Sequence, residues 1–172
     1  MVNFDKAFDT VLGFEGGYSN DADDAGGETK YGITKETANA HGWHGDMKYL
    51  TLDDAKRIYK SAYWDALNLD MVVDAQAARE AFDIAVNMGT GIAARFIQRA
   101  LNLLNRNGGS WPDVTEDGVI GTQTLTVLND LQGKDLASFY KALNALQGKR
   151  YIEICERDPR QEKFLRGWLL RV

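Results

Sequence analysis

The chain has 172 residues, 44% of them hydrophobic and only 2 of them proline, enough to bury a core in one compact domain or in one divided into two lobes. The formal net charge is −5, and the single cysteine, Cys155, excludes an internal disulfide and a thiolate metal cluster. The charge is uneven: up to residue 87 there are 16 acidic residues against 8 basic, whereas residues 149–172 carry 7 basic against 4 acidic. Phosphate recognition needs a concentrated basic face, so no nucleic-acid partner is expected. No stretch approaches the roughly 18 uninterrupted apolar residues of a membrane span, so no stable membrane insertion is expected. The opening MVNFDKAFDTVLGF lacks the basic start and apolar run of a signal peptide, which points to synthesis in a reducing cytoplasm.

Apolar residues Phe4, Ala7, Phe8, Val11 and Leu12 recur at steps of three and four, which predicts an amphipathic helix from Asn3 to Phe14 or Glu15, broken by Gly16 and Gly17. Residues 18–32 read as a loop with a short hairpin around GGETKYGI, where Gly26-Gly27 supply the positive φ of a tight turn. Thr34 caps a short helix ending near His41 and Gly42. Thr51 with Asp54 forms a capping box before one helix through LDDAKRIYKSAYWDAL. A further helix covers Ala75 to Met88 and stops at Gly89. Thr90 caps a helix ending at Asn107-Gly108-Gly109, Thr122 starts another, and Asp135 starts a long one through Cys155. Asp158-Pro159, with Gln161 three residues after the cap, opens the last. The chain is therefore expected to be mainly α, with NRNGGSWPDVTEDG as its one linker-like segment and no internal repeat.

The stretch FEGGYSNDADDAGGETKYGIT concentrates carboxylates beside an apolar pattern. Glu15 lies four residues beyond Val11 and three beyond Leu12, on or beside the apolar stripe, where partial desolvation raises a carboxyl pKa. Cleaving a glycosidic bond requires a proton donor for the leaving oxygen and, usually, a second carboxylate that activates water or stabilises the cationic sugar. Glu15 suits the first task and Asp24 the second, with Thr29 placed to orient a water. Asp21 and Asp23 stand close enough to compete with Asp24.

The order Glu15-Gly16-Gly17-Tyr18, Asn20, Asp24, Gly26-Gly27, Thr29 and Gly32-Ile33-Thr34 resembles the signature of glycoside hydrolase family 108, the N-acetylmuramidases of bacteriophages and bacteria. FDIAVNMG at 82–89, Gln98, DGVIG at 117–121, Thr124 and the final FLRGWLLRV resemble the peptidoglycan-binding region that accompanies that domain. The resemblance implies a lysozyme-like helical fold, with a catalytic region at 1–88 and a helical peptidoglycan-binding region at 89–172. It further implies Glu15 as general acid, Asp24 and Thr29 as helpers, and Tyr18, Asn20, Tyr31 and Asn87 on the substrate side. The substrate would be the glycan strand of peptidoglycan, cut between N-acetylmuramic acid and N-acetylglucosamine, with no cofactor and no metal. A phage-encoded enzyme of this kind depends on a holin to reach the wall. Ala25 stands where many relatives carry proline. A lytic transglycosylase and a non-catalytic wall-binding or secretion accessory protein are the alternatives.

Other constellations are weaker. His41 and His44 have the spacing of a metal pair but no evident third ligand. DVTEDG, from Asp113, begins like a calcium loop, yet its twelfth position is Thr124 in place of a bidentate Glu. Cys155 lies inside a helix, and no serine sits in a G-x-S-x-G setting. Of the aromatic residues able to stack on sugars, Tyr63, Trp64 and Trp168 are assigned to packing, Tyr18 and Tyr31 to the cleft, and Trp43 and Trp111 to neither.

Overall fold

The computed structural model describes residues 4–12, 17–20 and 28–172, with only the backbone of Ser19 and Asn20. Glu15, Asp21, Asp23, Asp24 and the Gly26-Gly27 turn lie outside the described residues. The chain divides into two compact units, Met1–Val86 and Asn87–Val172. Among the described residues there are eight α-helices and one three-stranded sheet, the mainly α, lysozyme-like architecture expected from the sequence.

The first unit is built around an aromatic cluster. Helix α1 (Phe4–Leu12) buries Ala7 and Phe8. Phe4 meets Trp64 edge-on at 5.4 Å and Phe82 at 5.8 Å, and Phe8 meets Tyr59 at 5.4 Å. These T-shaped contacts align positive ring edges with negative ring faces, beyond the area they bury. Trp64 is fully buried, and its indole N–H donates to Asp70 Oδ1 at 2.7 Å.

The single helix expected over residues 52–67 is broken in register. Helix α3 (Leu52–Tyr59) opens on the Thr51–Asp54 capping box with both reciprocal bonds present. It passes into a π-turn over Lys60–Trp64 and then a 3-10 turn over Asp65–Leu67. Tyr59 and Trp64, five residues apart, are both buried. On a regular helix they would point about 140° apart, and the wider turn brings both into the core.

The hairpin gains a strand. Strands β1 (Tyr18–Asn20), β2 (Glu28–Lys30) and β3 (Ile33–Thr34) form an antiparallel sheet in that order, with Ser19 opposite Thr29 and Thr29 opposite Thr34. Between β2 and β3 the positive φ values belong to Tyr31 (52°) and Gly32 (71°), a two-residue turn whose twist matches that of the strands. Tyr59 Oη donates to the Tyr31 carbonyl at 3.0 Å, which ties this turn to α3. A Cβ at Gly32 would lie 2.9 Å from the same Tyr59 oxygen. Helix α2 (Lys35–Ala40) follows at once, capped by Thr34 as expected, and α4 (Ala75–Met88) ends before Gly89.

In the second unit, α5 (Thr90–Leu104) packs along α7 (Gly133–Arg157), burying Ile97, Leu101, Phe139 and Leu143. Thr90 does not cap α5: Gly89, at φ 89°, takes the cap position and Thr90 is already helical. Asp135 likewise sits inside the first turn of α7, two residues past its start, where a carboxylate favours the helix dipole. Helix α6 (Thr122–Asp130) starts where expected. Asp158 caps a 3-10 turn, Pro159–Gln161, that leads into α8 (Glu162–Leu169). Trp168 of α8 stacks between Tyr151 at 5.2 Å and Phe164 at 5.8 Å, the packing role assigned to it.

The linker-like segment after α5 is strapped down by three side chains of that helix at successive turns, Gln98, Asn102 and Asn105. Gln98 is almost fully buried; its Nε2 donates to Asp117 Oδ1 (2.8 Å) and to the Val119 carbonyl (2.9 Å), and its Oε1 accepts from Gly118 N–H (2.9 Å). Asn102 bonds both the N–H and the carbonyl of Val114, and also Glu116; Asn105 donates to Asp113. The oxygens that resemble a calcium loop in sequence therefore accept from protein amides, and DVTEDG is a structural loop.

Candidate active site

The candidate site is framed by α1, the small sheet and α2. Alternation along a strand puts Tyr18, Glu28 and Lys30 on one face of the sheet and Thr29 with Thr34 on the other. Tyr18 and Thr29, both candidates from sequence, are thus brought into one sheet but onto opposite faces. Thr29 is half-buried at the centre of β2, paired on both sides.

The exposed face carries a carboxylate that sequence reasoning passed over. Glu28 accepts from Tyr18 Oη at 2.9 Å through one oxygen and from Lys35 Nζ at 3.0 Å through the other. The Lys35 bond, with Tyr18 second, holds the Glu28 carboxyl below the usual carboxylate range. Glu28 is therefore an ionised clamp joining β1, β2 and α2, unsuited to donating a proton. The signal for it was the E-T-K alternation before Tyr-Gly, which puts residues 28 and 30 on one strand face.

The aromatic candidates are partly engaged. The Lys48 ammonium sits 5.5 Å from the centre of the Tyr18 ring, leaving the rest of that exposed ring open. Tyr31 is half-buried in the turn, with Lys30 Nζ 5.4 Å from its ring centre. Tyr63, on the π-turn, bonds Thr37 of α2, and burial raises its phenol pKa. His41 Nδ1 lies 2.7 Å from Ser61 Oγ, a pairing of α2 with the same π-turn. Asn20 contributes its backbone to β1. Asn87 is exposed on the last turn of α4, at the start of the second unit.

Glu15 falls in sequence between the end of α1 at Leu12 and the start of β1 at Tyr18, and Asp24 between β1 and β2. Over this frame, residues 8–89 match the family model described as Glycosyl hydrolase 108, and residues 92–172 match the one described as Predicted Peptidoglycan domain. Residues 8–89 belong to the glycosyl hydrolase 108 family. The pairing of this glycosyl hydrolase 108 region with a peptidoglycan domain ties the chain to peptidoglycan. Among solved structures the chain is similar to one titled "Structure of Brucella abortus SagA", at 25% identity and a TM-score of 0.66, over 96% of this chain and 95% of that one. No curated protein matches.

Proposed function

We propose that the chain is an endolysin-type N-acetylmuramidase that hydrolyses the β-1,4 bond from N-acetylmuramic acid to N-acetylglucosamine. Residues 1–88 carry the chemistry, and residues 89–172 hold the polymer. The observation that carries the reading is the glycosyl hydrolase 108 match across the segment that contains Glu15, Asp24 and Thr29.

In this mechanism Glu15 protonates the glycosidic oxygen as the bond breaks, its carboxyl kept protonated by the apolar end of the helix pattern. Asp24 activates water or stabilises the oxocarbenium-like transition state, with Thr29 as a hydroxyl partner. Glu28 stays ionised and keeps the sheet clamped. Tyr18, Asn20, Tyr31 and Asn87 contact the sugar chain. Proton transfer and electrostatic stabilisation supply the chemistry, so the reading calls for no cofactor.

The polymer lies beyond the cytoplasmic membrane, and among the described residues no helix is long and apolar enough to cross a membrane. A chain made in the cytoplasm needs a route outward, which a holin provides if the source is a phage.

The test is mass spectrometry of the products from purified peptidoglycan, with wild type and a folded Glu15→Gln variant side by side. Reducing-end N-acetylmuramic acid is expected from wild type, with at least a 100-fold loss of rate in the variant, the scale of a general acid. Anhydro-sugar products would make it a lytic transglycosylase, and an undigested polymer would leave a binding or accessory role.

A further inference from the structure

The second unit contains a groove of about 560 Å³ whose walls include Trp111, Pro112, Gln123, Thr126, Val127 and Asp130. Its hydrogen-bonding character follows from bonds already made on its far side. The Trp111 indole N–H donates to the Leu101 carbonyl at 3.1 Å, which satisfies the one polar atom of the ring, and among the described residues no other aromatic ring stacks on it. Gln123 Nε2 donates to the Asp113 carbonyl at 3.1 Å, leaving its Oε1 as acceptor. The Thr126 hydroxyl spends its proton on the Thr122 carbonyl at 2.9 Å, leaving its lone pairs. Asp130 has no partner among the described residues. Asp135, at the groove edge, is paired with Arg106 at 3.1 Å.

The groove therefore offers an aromatic and apolar floor rimmed by acceptors. An anion is opposed by Asp130. A free cation gains little, because the second carboxylate is already neutralised and Arg106 stands beside it. A neutral ligand with an apolar C–H face and a ring of O–H and N–H donors meets every term, and a hexopyranose is such a ligand.

We propose that this groove binds one N-acetylglucosamine-type residue of a glycan strand, stacked on Trp111, with its hydroxyls donating to Asp130 and its amide N–H to Gln123 or Thr126. The proposal rests on the reading that the second unit engages peptidoglycan, and it commits to the sugar chain in place of the stem peptide.

The experiment uses the full-length Glu15→Gln chain, so that the ligand is not consumed, titrated calorimetrically with the tetramer of N-acetylglucosamine and separately with a synthetic stem peptide. Trp111→Ala and, on a second copy, Asp130→Asn are each expected to weaken tetramer binding about tenfold, the size of a single interface anchor. Asp130→Asn changes an exposed side chain without changing its shape, so it remains informative if Trp111→Ala disturbs the fold. Equal affinity in both variants, no tetramer binding at all, or displacement of the tetramer by the stem peptide would overturn the proposal. Wild-type product analysis run in parallel separates the two readings. Cleavage with variant-independent tetramer binding sinks the groove alone; no cleavage with variant-sensitive binding sinks the muramidase alone.

Discussion

Glu28 shows how one side chain organises the frame of the candidate site. Its two oxygens reach Tyr18 and Lys35, so three elements meet on a single carboxylate. Because its folded pKa is lowered, the stability it contributes is fully present above its unfolded value, near that of a free glutamate, and is lost as pH falls through the folded value. Glu28→Gln is therefore expected to lower the melting temperature at neutral pH. The variant should also lose less stability than wild type between about pH 5 and pH 3. Thermal melts across that range check both, and parallel acid profiles would refute the assignment. Asp158 follows the same sign: the Arg160 guanidinium holds its carboxyl down to about 2, so this cap persists well into acid.

At the scale of elements, the loop after α5 depends on side chains that replace missing secondary structure. Gln98 alone satisfies three partners while almost fully buried, and its removal leaves a buried N–H and two acceptors unmatched. Gln98→Ala is expected to cost about 2–4 kcal/mol. In hydrogen exchange, protection at Gly118 and Val119 should fall before protection in α7. Denaturant melts and exchange together read the outcome. Local chemistry of this kind is where the sequence was most legible. Thr34, the Thr51–Asp54 box and Asp158 were found as caps, because a cap is decided by residues within three positions of it. The π-turn was not legible, since the helical pattern through LDDAKRIYKSAYWDAL is continuous and only the burial of Trp64 beside Phe4 and Phe82 demands the change of register. The same limit hid β1, a three-residue strand that exists through pairing with residues ten further on. Of the candidate site, the motif order was legible from Glu15 onward. The clamp by Glu28 was not, because its partners come from different elements.

On the scale of the whole molecule, each unit has its own reporter. Trp64 lies in the aromatic cluster of the first, and Cys155, the only thiol, is buried in the second. Burial, with Glu162 and Asp158 adding to it, raises the Cys155 pKa and keeps the thiol unreactive while the second unit is folded. Trp64→Ala removes a fully buried ring and its bond to Asp70, and is expected to cost about 3–5 kcal/mol in the first unit. Thiol labelling of Cys155 should keep its wild-type rate in that variant. Equal acceleration of labelling would mean that the two cores unfold as one.

The π-turn also has a bearing on how this segment tolerates change in length. A helix that carries one residue more than its regular repeat stores an insertion. Removing one residue between Lys60 and Tyr63 would restore regular winding, yet it would swing everything that follows by about 100° relative to α3. The indole at position 64 would then leave the rings of Phe4 and Phe82, and the Tyr63–Thr37 and Ser61–His41 links to α2 would part with it. A relative lacking that residue must fill the core from a different side chain, so in this stretch a one-residue gap between two homologues marks a rebuilt core and not a trimmed loop.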